Sequence, residues 1–257
     1  MIGAYVINLE QAAERRRAIA RQLDRLGVPF TTCTAVDGRL LDEAQRARLY
    51  DERAAARLYR RLSPGELGCA LSHLEVYRRM LADGASHALV LEDDAALGDR
   101  LPAVLAQVEQ AVAPDDPTVV LLSHVDKYTR WGSRQLGAHG RLVGRYGHWW
   151  RAHGYVVTRA AAQRLLDGLV PVWSAADYWA AFEKRGIVQV KAVVPYCIGL
   201  SDLAADSSLE STRFDLDAAD KARRSVGYYL HRYLYQRFLY QVLVRPFLRV
   251  AKQRKTW

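Results

Sequence analysis

The stretch SHALVLEDDAAL, residues 86–97, constrains this chain more than any other, because a continuous apolar run from Ala88 to Leu91 is stopped by three consecutive acids, Glu92, Asp93 and Asp94. An uninterrupted apolar run of that length reads as a central strand of a parallel sheet, covered on both faces. Adjacent carboxylates repel, so water, a basic neighbour or a metal ion must compensate them at the strand's end.

The segments around this strand alternate between two periodicities. AYVIN (4–8) reads as a short buried strand, and the following stretch carries Ile19, Leu23 and Leu26 on one helical stripe, with Gly27 as its stop. PFTTCTAV reads as a second strand ending at the turn dipeptide Asp37-Gly38, and residues 42–60 read as a charged helix. Ser63, Pro64 and Glu66 then form a helix start with a capping box, and that helix should run to about Gly84. After the acid-ended strand come a helix over 99–112, the strand TVVLLSH, and a stretch over 124–153 rich in Gly, His, Arg and Trp that reads as long loops over a site. GYVVT, RAAAQRLLDG, SAADYWAAFEKRG and IVQVKAVV continue as strand, helix, helix and strand. The order predicts an α/β domain with a mostly parallel central sheet.

Half of the 257 residues are apolar, enough for one large core. The first residues lack a basic segment followed by a long apolar one, and no run reaches the roughly 18 apolar residues of a spanning helix, so a cytosolic protein is expected. Cys33, Cys69 and Cys197 show no CxxC spacing and read as reduced thiols without a chemical role. The net charge of +9 is uneven: ten Lys and Arg and no acid follow Asp220, leaving 27 basic and 28 acidic residues, a net of −1, over 1–220. The expected division is therefore a domain over 1–220 and a basic tail over 221–257. A body without basic excess argues against nucleic acid as a partner.

Ligands of parallel α/β sheets bind beyond the carboxyl ends of the strands, where Glu92–Asp94 should lie. Side chains alternate in a strand, so Glu92 and Asp94 should share one face while Asp93 faces the other way. Two converging carboxylates suit Mg²⁺ or Mn²⁺, which take oxygen ligands and often complete their shell with substrate phosphates. Acids at strand ends serve equally often as caps of the next helix or as solvated loop residues.

Four blocks in order, YVINLEQAAERR, AVDG (35–38), GELGCALSH (65–73) and ALVLEDDA (88–95), resemble glycosyltransferase family 25, the lipopolysaccharide and lipooligosaccharide galactosyltransferase type; a looser likeness continues through GYVVTRAAAQRLL and SSLESTR. The chain departs from the family at two places. RAHGY puts Arg151 and Ala152 where relatives tend to have Gly-Thr, and PVWSAAD puts Trp173 where they tend to have an acid, leaving Asp177 as the nearest one.

The resemblance implies a GT-A type fold that binds a nucleotide sugar, most often UDP-galactose, and passes the sugar to a hydroxyl of a surface glycan or glycolipid. It implies Mn²⁺ or Mg²⁺ held by Asp94 and Glu92, with Asp93 on the ribose or bracing a ligand. Asn8 would meet the base or ribose, or cap the nearby helix. One of Arg15 and Arg16 would reach a phosphate and the other stay solvated. Asp37 and His73 would line the donor site, His73 serving equally well as a core histidine. Asp177 is the candidate base for an inverting transfer, or an acid favoured by a helix dipole; Glu66 is a second catalytic candidate, or only a capping-box acid.

The acid-free, Tyr- and Arg-rich tail carries Val226, Tyr229, Leu230, Tyr233 and Leu234 on one stripe. It fits a helix lying on an anionic membrane surface, on the inner face of a cell membrane, or a terminal helix docked on the core. Two rival readings use the same residues: a metal-dependent phosphohydrolase, and a non-enzymatic basic protein that binds membranes through its tail.

Overall fold

The computed structural model describes residues 2–201 and 249–253. Along the chain run β1 (Gly3–Asn8), α1 (Ala13–Leu26), β2 (Phe30–Thr34), α2 (Glu43–Leu49), α3 (Glu52–Leu58), α4 (Pro64–Ala82), β3 (His87–Glu92), β4 (Ala95–Leu97) and α5 (Leu101–Ala111). They are followed by β5 (Thr118–Leu121), β6 (Lys127–Gln135), β7 (Arg141–Arg145), β8 (Gly154–Thr158), α6 (Arg159–Leu169), α7 (Trp179–Lys184), β9 (Gln189–Val194), β10 (Ile198–Leu200) and β11 (Val250–Lys252).

One large sheet has the order β11-β6-β7-β9-β5-β8-β3-β1-β2, and β4 and β10 form a small second one. β1 runs parallel to β2 and β3, and β5 parallel to β9, whereas β8 is antiparallel to both β3 and β5. The sheet is therefore mixed rather than mostly parallel. Its cause is the segment expected as long loops: over 124–153 the chain makes the antiparallel hairpin β6–β7 at the far side of the sheet and re-enters through β8. That one hairpin reverses the chain once, so β7 and β8 share a direction and β8 runs antiparallel to β5 and β3.

Alternation within the strands distributes two cores across the sheet. In β3, Ala88 and Val90 join the cluster under α4, α6 and α7, while Leu89 and Leu91 join the one under α1 and α5. α4 is buried except for a side carrying Glu75, Arg78, Arg79 and Ala82 and the exposed Pro64 at its start, and its capping box forms as its sequence predicts: the Ser63 side chain accepts from Glu66 N, and Ser63 N donates to Glu66 Oε2 at 3.0 Å. Residues 42–60 form two short helices instead of one. Tyr50 turns extended and bridges to Val172, and the Asp51 side chain starts α3 by accepting from Ala54 N.

Within the segment expected as a helical tail, residues 249–253 instead provide β11, antiparallel to β6 at the sheet edge. Residues 202–248 and 254–257, on which the remainder of that expectation falls, lie outside the described residues. Among the described residues no helix is long and apolar enough to cross a membrane.

Candidate active site

A cleft of about 510 Å³ opens beyond the carboxyl ends of β1 and β3, walled by α1, the 35–39 loop, the first turns of α4 and Glu92–Asp94. Two glycines bring the loop and α4 together. A Cβ on Gly38 would fall 1.9 Å from the Pro64 carbonyl oxygen, and one on Gly68 would fall 2.4 Å from that of Val36. Real Cβ atoms do not approach backbone so closely, so AVDG and GELGC form one contact that shapes the cleft.

All three acids line this cleft. Asp93 and Asp94 lie in the turn between β3 and β4, beyond the last strand residue, so the alternation expected to send Asp93 away does not reach it. Asp93 accepts from Asn8 Nδ2 at 2.7 Å and lies 3.6 Å from Arg15. Burial nonetheless raises its carboxyl, with Asn8 and Arg15 opposing. Asp94 is pushed up to about 7, first by burial and then by the charges of Glu92 and Asp93, and its Oδ1 is buried without a hydrogen bond. A buried carboxylate oxygen without a partner, beside two further carboxylates, is a donor set that a hard divalent cation fits, because the cation would relieve both the desolvation and the repulsion.

His73, only 2% exposed, ends a buried chain of polar groups. Tyr77 and Tyr155 hydroxyls lie 2.6 Å apart, Tyr155 Oη lies 2.8 Å from His73 Nδ1, and His73 Nε2 lies 3.4 Å from Glu92 Oε1. Burial holds both phenols neutral, so they remain donors. With a carboxylate facing Nε2, the proton belongs there; Nδ1 then accepts from Tyr155, which accepts from Tyr77. The chain fixes the ring beside Glu92, with Nε2 buried and close to the carboxylate but not hydrogen-bonded to it. Cys69, one helical turn before His73, lies in the same cluster: ligand atoms of Cys69, His73 and Glu92 all fall within 4.8 Å of one another. Its lack of CxxC spacing gave this cysteine no role, although its i, i+4 spacing from His73 places both on one face of α4.

The other expected residues fall into distinct places. Asn8 is buried behind Asp93 and also donates to Ala12 O, near the start of α1, so it serves both the helix entry and the acid. Arg15 lines the cleft, while Arg16 is exposed and turned away. Asp37 lines the cleft and is bound by Arg39 through both carboxylate oxygens, which holds its carboxyl down to about 2. Glu66 accepts two bonds from Arg60, at 2.7 and 2.8 Å, in addition to its capping bond. Glu66 and Asp177 do not enter the acid cleft. They line a neighbouring one of about 160 Å³ together with Trp150, Trp173, Tyr59 and Tyr178. Trp173, at the expected acid position, is a buried core residue stacked under Arg185 at 3.6 Å, with its Nε1 donating to Gly168 O.

Comparison with known proteins matches residues 1–180 to the family model described as glycosyltransferase family 25 (LPS biosynthesis protein). A glycosyltransferase 25 family member of Aedes aegypti is 30% identical over 178 residues, covering 65% of this chain and 29% of that protein. Procollagen galactosyltransferase 1 of Danio rerio is 27% identical over 63% of this chain and 28% of its own length. The lacto-N-neotetraose biosynthesis glycosyltransferase LgtB of Neisseria meningitidis serogroup B is 30% identical over 63% of this chain and 60% of its own. The chain thus spans under a third of the length of the animal relatives it matches. The acid-ended β3, the capped α4 and the Gly38–Gly68 contact all lie within the matched residues, and the chain belongs to glycosyltransferase family 25.

Proposed function

We propose that this chain is a GT-A type glycosyltransferase that moves a sugar from a UDP-sugar, UDP-galactose first among them, to a hydroxyl of a lipopolysaccharide or other surface glycan. The observation that carries the reading is the Asp94 carboxyl, buried, with an oxygen that has no hydrogen bond and crowded by Glu92 and Asp93, at the carboxyl ends of the strands in a family 25 chain. Galactosyl transfer in the name of one relative and lacto-N-neotetraose biosynthesis in that of another support the donor and acceptor classes.

The chain's own residues divide the work. Asp94 and Glu92 would hold Mn²⁺ or Mg²⁺, which when bound supplies Lewis-acid stabilisation of the departing diphosphate. Arg15 and the N-terminal turn of α4 bring positive charge and the helix dipole to the same cleft, where an anionic diphosphate is favoured. Asp93, held by Asn8 and Arg15, is set for a ribose hydroxyl, and the His73 ring stands beside Glu92. Asp177, in the adjoining cleft, takes the proton from the attacking acceptor hydroxyl, as an inverting displacement requires. Glu66, engaged by Arg60 and Ser63, positions the first turn of α4 between the clefts. The basic segment after Asp220 would hold the enzyme at an anionic membrane surface near a lipid-linked acceptor.

The test is the melting temperature of the full chain against nucleotides and nucleotide sugars, with and without Mn²⁺, since a ligand of the folded state raises it by mass action. A Mn²⁺-dependent rise with UDP or a UDP-sugar, absent in Asp94→Asn, is expected, followed by UDP release that an acceptor accelerates. No response of the wild type to any nucleotide in Mn²⁺ refutes the reading. Phosphate release without an acceptor would instead favour the phosphohydrolase. Binding without turnover would make this chain a silent family member, as the name of a rat relative, a probable inactive one, describes.

A further inference from the structure

The second cleft has a composition that the donor chemistry does not explain. Trp150 and Tyr178 stack with ring centroids 4.7 Å apart and planes 16° from parallel, His148 flanks the pair at 6.2 Å from Trp150 and 6.4 Å from Tyr178, and Tyr59 meets Tyr178 edge-on. Trp150 is 42% exposed and Tyr59 40%. A stacked aromatic ledge left open to water is costly to hydrate and is kept where something lies on it.

The ledge is held in place by strained backbone. Arg151 has φ +89°, a left-handed conformation that a side chain resists, and it stands where family members tend to have glycine. Two bonds oppose its relaxation: Trp179 Nε1 donates to Arg151 O at 3.0 Å, and Arg151 N reaches Asp177 Oδ2 at 3.4 Å. The same turn therefore sets Trp150 and Asp177 against each other across the cleft.

The rim selects the occupant. Asp177 and the Glu66–Arg60 pair line the cleft with the aromatic ledge. Glu66 is already held by Arg60 and Ser63, so Asp177 is the carboxylate that lines the cleft beside the ledge; it disfavours a phosphate there, and a lipid chain would offer it no hydrogen-bond donor. A pyranose satisfies both parts: its C–H face lies on an aromatic ring, and its hydroxyl rim donates to the carboxylate. The cleft also adjoins the donor cleft, because Ser63, Pro64 and Gly65 line one while Glu66 lines the other.

We infer that the Trp150–Tyr178 ledge is the acceptor subsite, holding a pyranose ring by stacking with a sugar hydroxyl turned to Asp177. This rests on the glycosyltransferase reading for its role as an acceptor site, but saccharide binding there can be measured without a donor. The full-length chain is presented with lactose, N-acetyllactosamine, cellobiose and maltose, and saturation-transfer NMR reports which sugar protons touch aromatic protons. Wild type should bind at least one disaccharide through its ring C–H protons; Trp150→Ala should weaken that affinity at least roughly tenfold, and Trp150→Phe should retain most of it. Melting temperatures of the variants within a few degrees of wild type keep the comparison to binding. The inference is overturned if no disaccharide binds, if Trp150→Ala binds as well as wild type, or if UMP occupies the ledge in a Trp150-dependent way. Trp150-dependent sugar binding in a chain that ignores every nucleotide would sustain the saccharide subsite and sink the transferase reading alone.

Discussion

Replacing Asp94 with asparagine should stabilise the metal-free protein at pH 8 while removing its response to metal and nucleotide. In the folded chain the Asp94 carboxyl is raised from 3.8 to about 7, first by burial and then by Glu92 and Asp93. A raised carboxyl contributes stability that is fully present below 3.8 and is lost as pH climbs through about 7, because the folded state binds the extra proton across that window. At about 1.4 kcal/mol per pH unit the ceiling is about 4 kcal/mol, and the solvent that reaches the cleft screens this to roughly 1–3 kcal/mol. The substituted amide carries no charge at any pH and is nearly isosteric with the carboxyl, so the variant's advantage should be full at pH 8, shrink below pH 7 and vanish near pH 4. His153, held near 4 by burial against the pull of Glu92, gives both proteins the opposite slope over pH 4–6.5 and cancels in the difference. The assay is urea unfolding of both proteins in EDTA at pH 4.5, 6 and 8. With saturating Mn²⁺ and UDP the order at pH 8 should invert, since only wild type gains binding free energy. A variant no more stable than wild type at pH 8 in EDTA, or equally favoured at pH 4.5, would refute the burial and crowding assigned to Asp94.

Gly68→Ala should lower the melting temperature by about 5 °C or more, reflecting a backbone clash worth at least about 2 kcal/mol, and should weaken nucleotide binding with it. A Gly68→Ala protein as stable as wild type would mean that the 35–39 loop does not press on α4. Arg151→Gly should be about 1 kcal/mol more stable than Arg151→Ala, because only glycine relieves the left-handed strain; equal denaturation midpoints would show that the turn is unstrained. Tyr155→Phe leaves buried His73 Nδ1 without its donor and should cost about 1–3 kcal/mol, with nucleotide affinity falling as the ring beside Glu92 loses its anchor. Unchanged stability there would remove the polar chain from the account.

Much of the site was legible because its signals are local. The run from Ala88 to Leu91 has to be covered on both faces, and it is; the Ser63-Pro64-Glu66 cap is a contact between residues three apart, and it forms as written. The acids at the end of β3 line a cleft because strand ends in this architecture face one, although the side each acid takes depended on a turn that strand alternation could not describe. Period and caps are set by neighbours in sequence, which is why they survive folding unchanged.

The long-range meetings were open until the chain was packed. The burial of Asp94, the Tyr77–Tyr155–His73–Glu92 chain and the approach of Gly38 to Gly68 join residues from 19 to 82 positions apart, and no local pattern carries them. The antiparallel entry of β8 was equally hidden, because hairpin and crossover differ in where the chain goes rather than in what its strands contain. So was the separation of Asp177 and Glu66 from the acid cleft, together with the aromatic ledge that faces them. Residue order dictates which side chains can carry charge, cap a helix or fill a core. Packing dictates which of them meet, because desolvation, repulsion and steric approach act between neighbours in space.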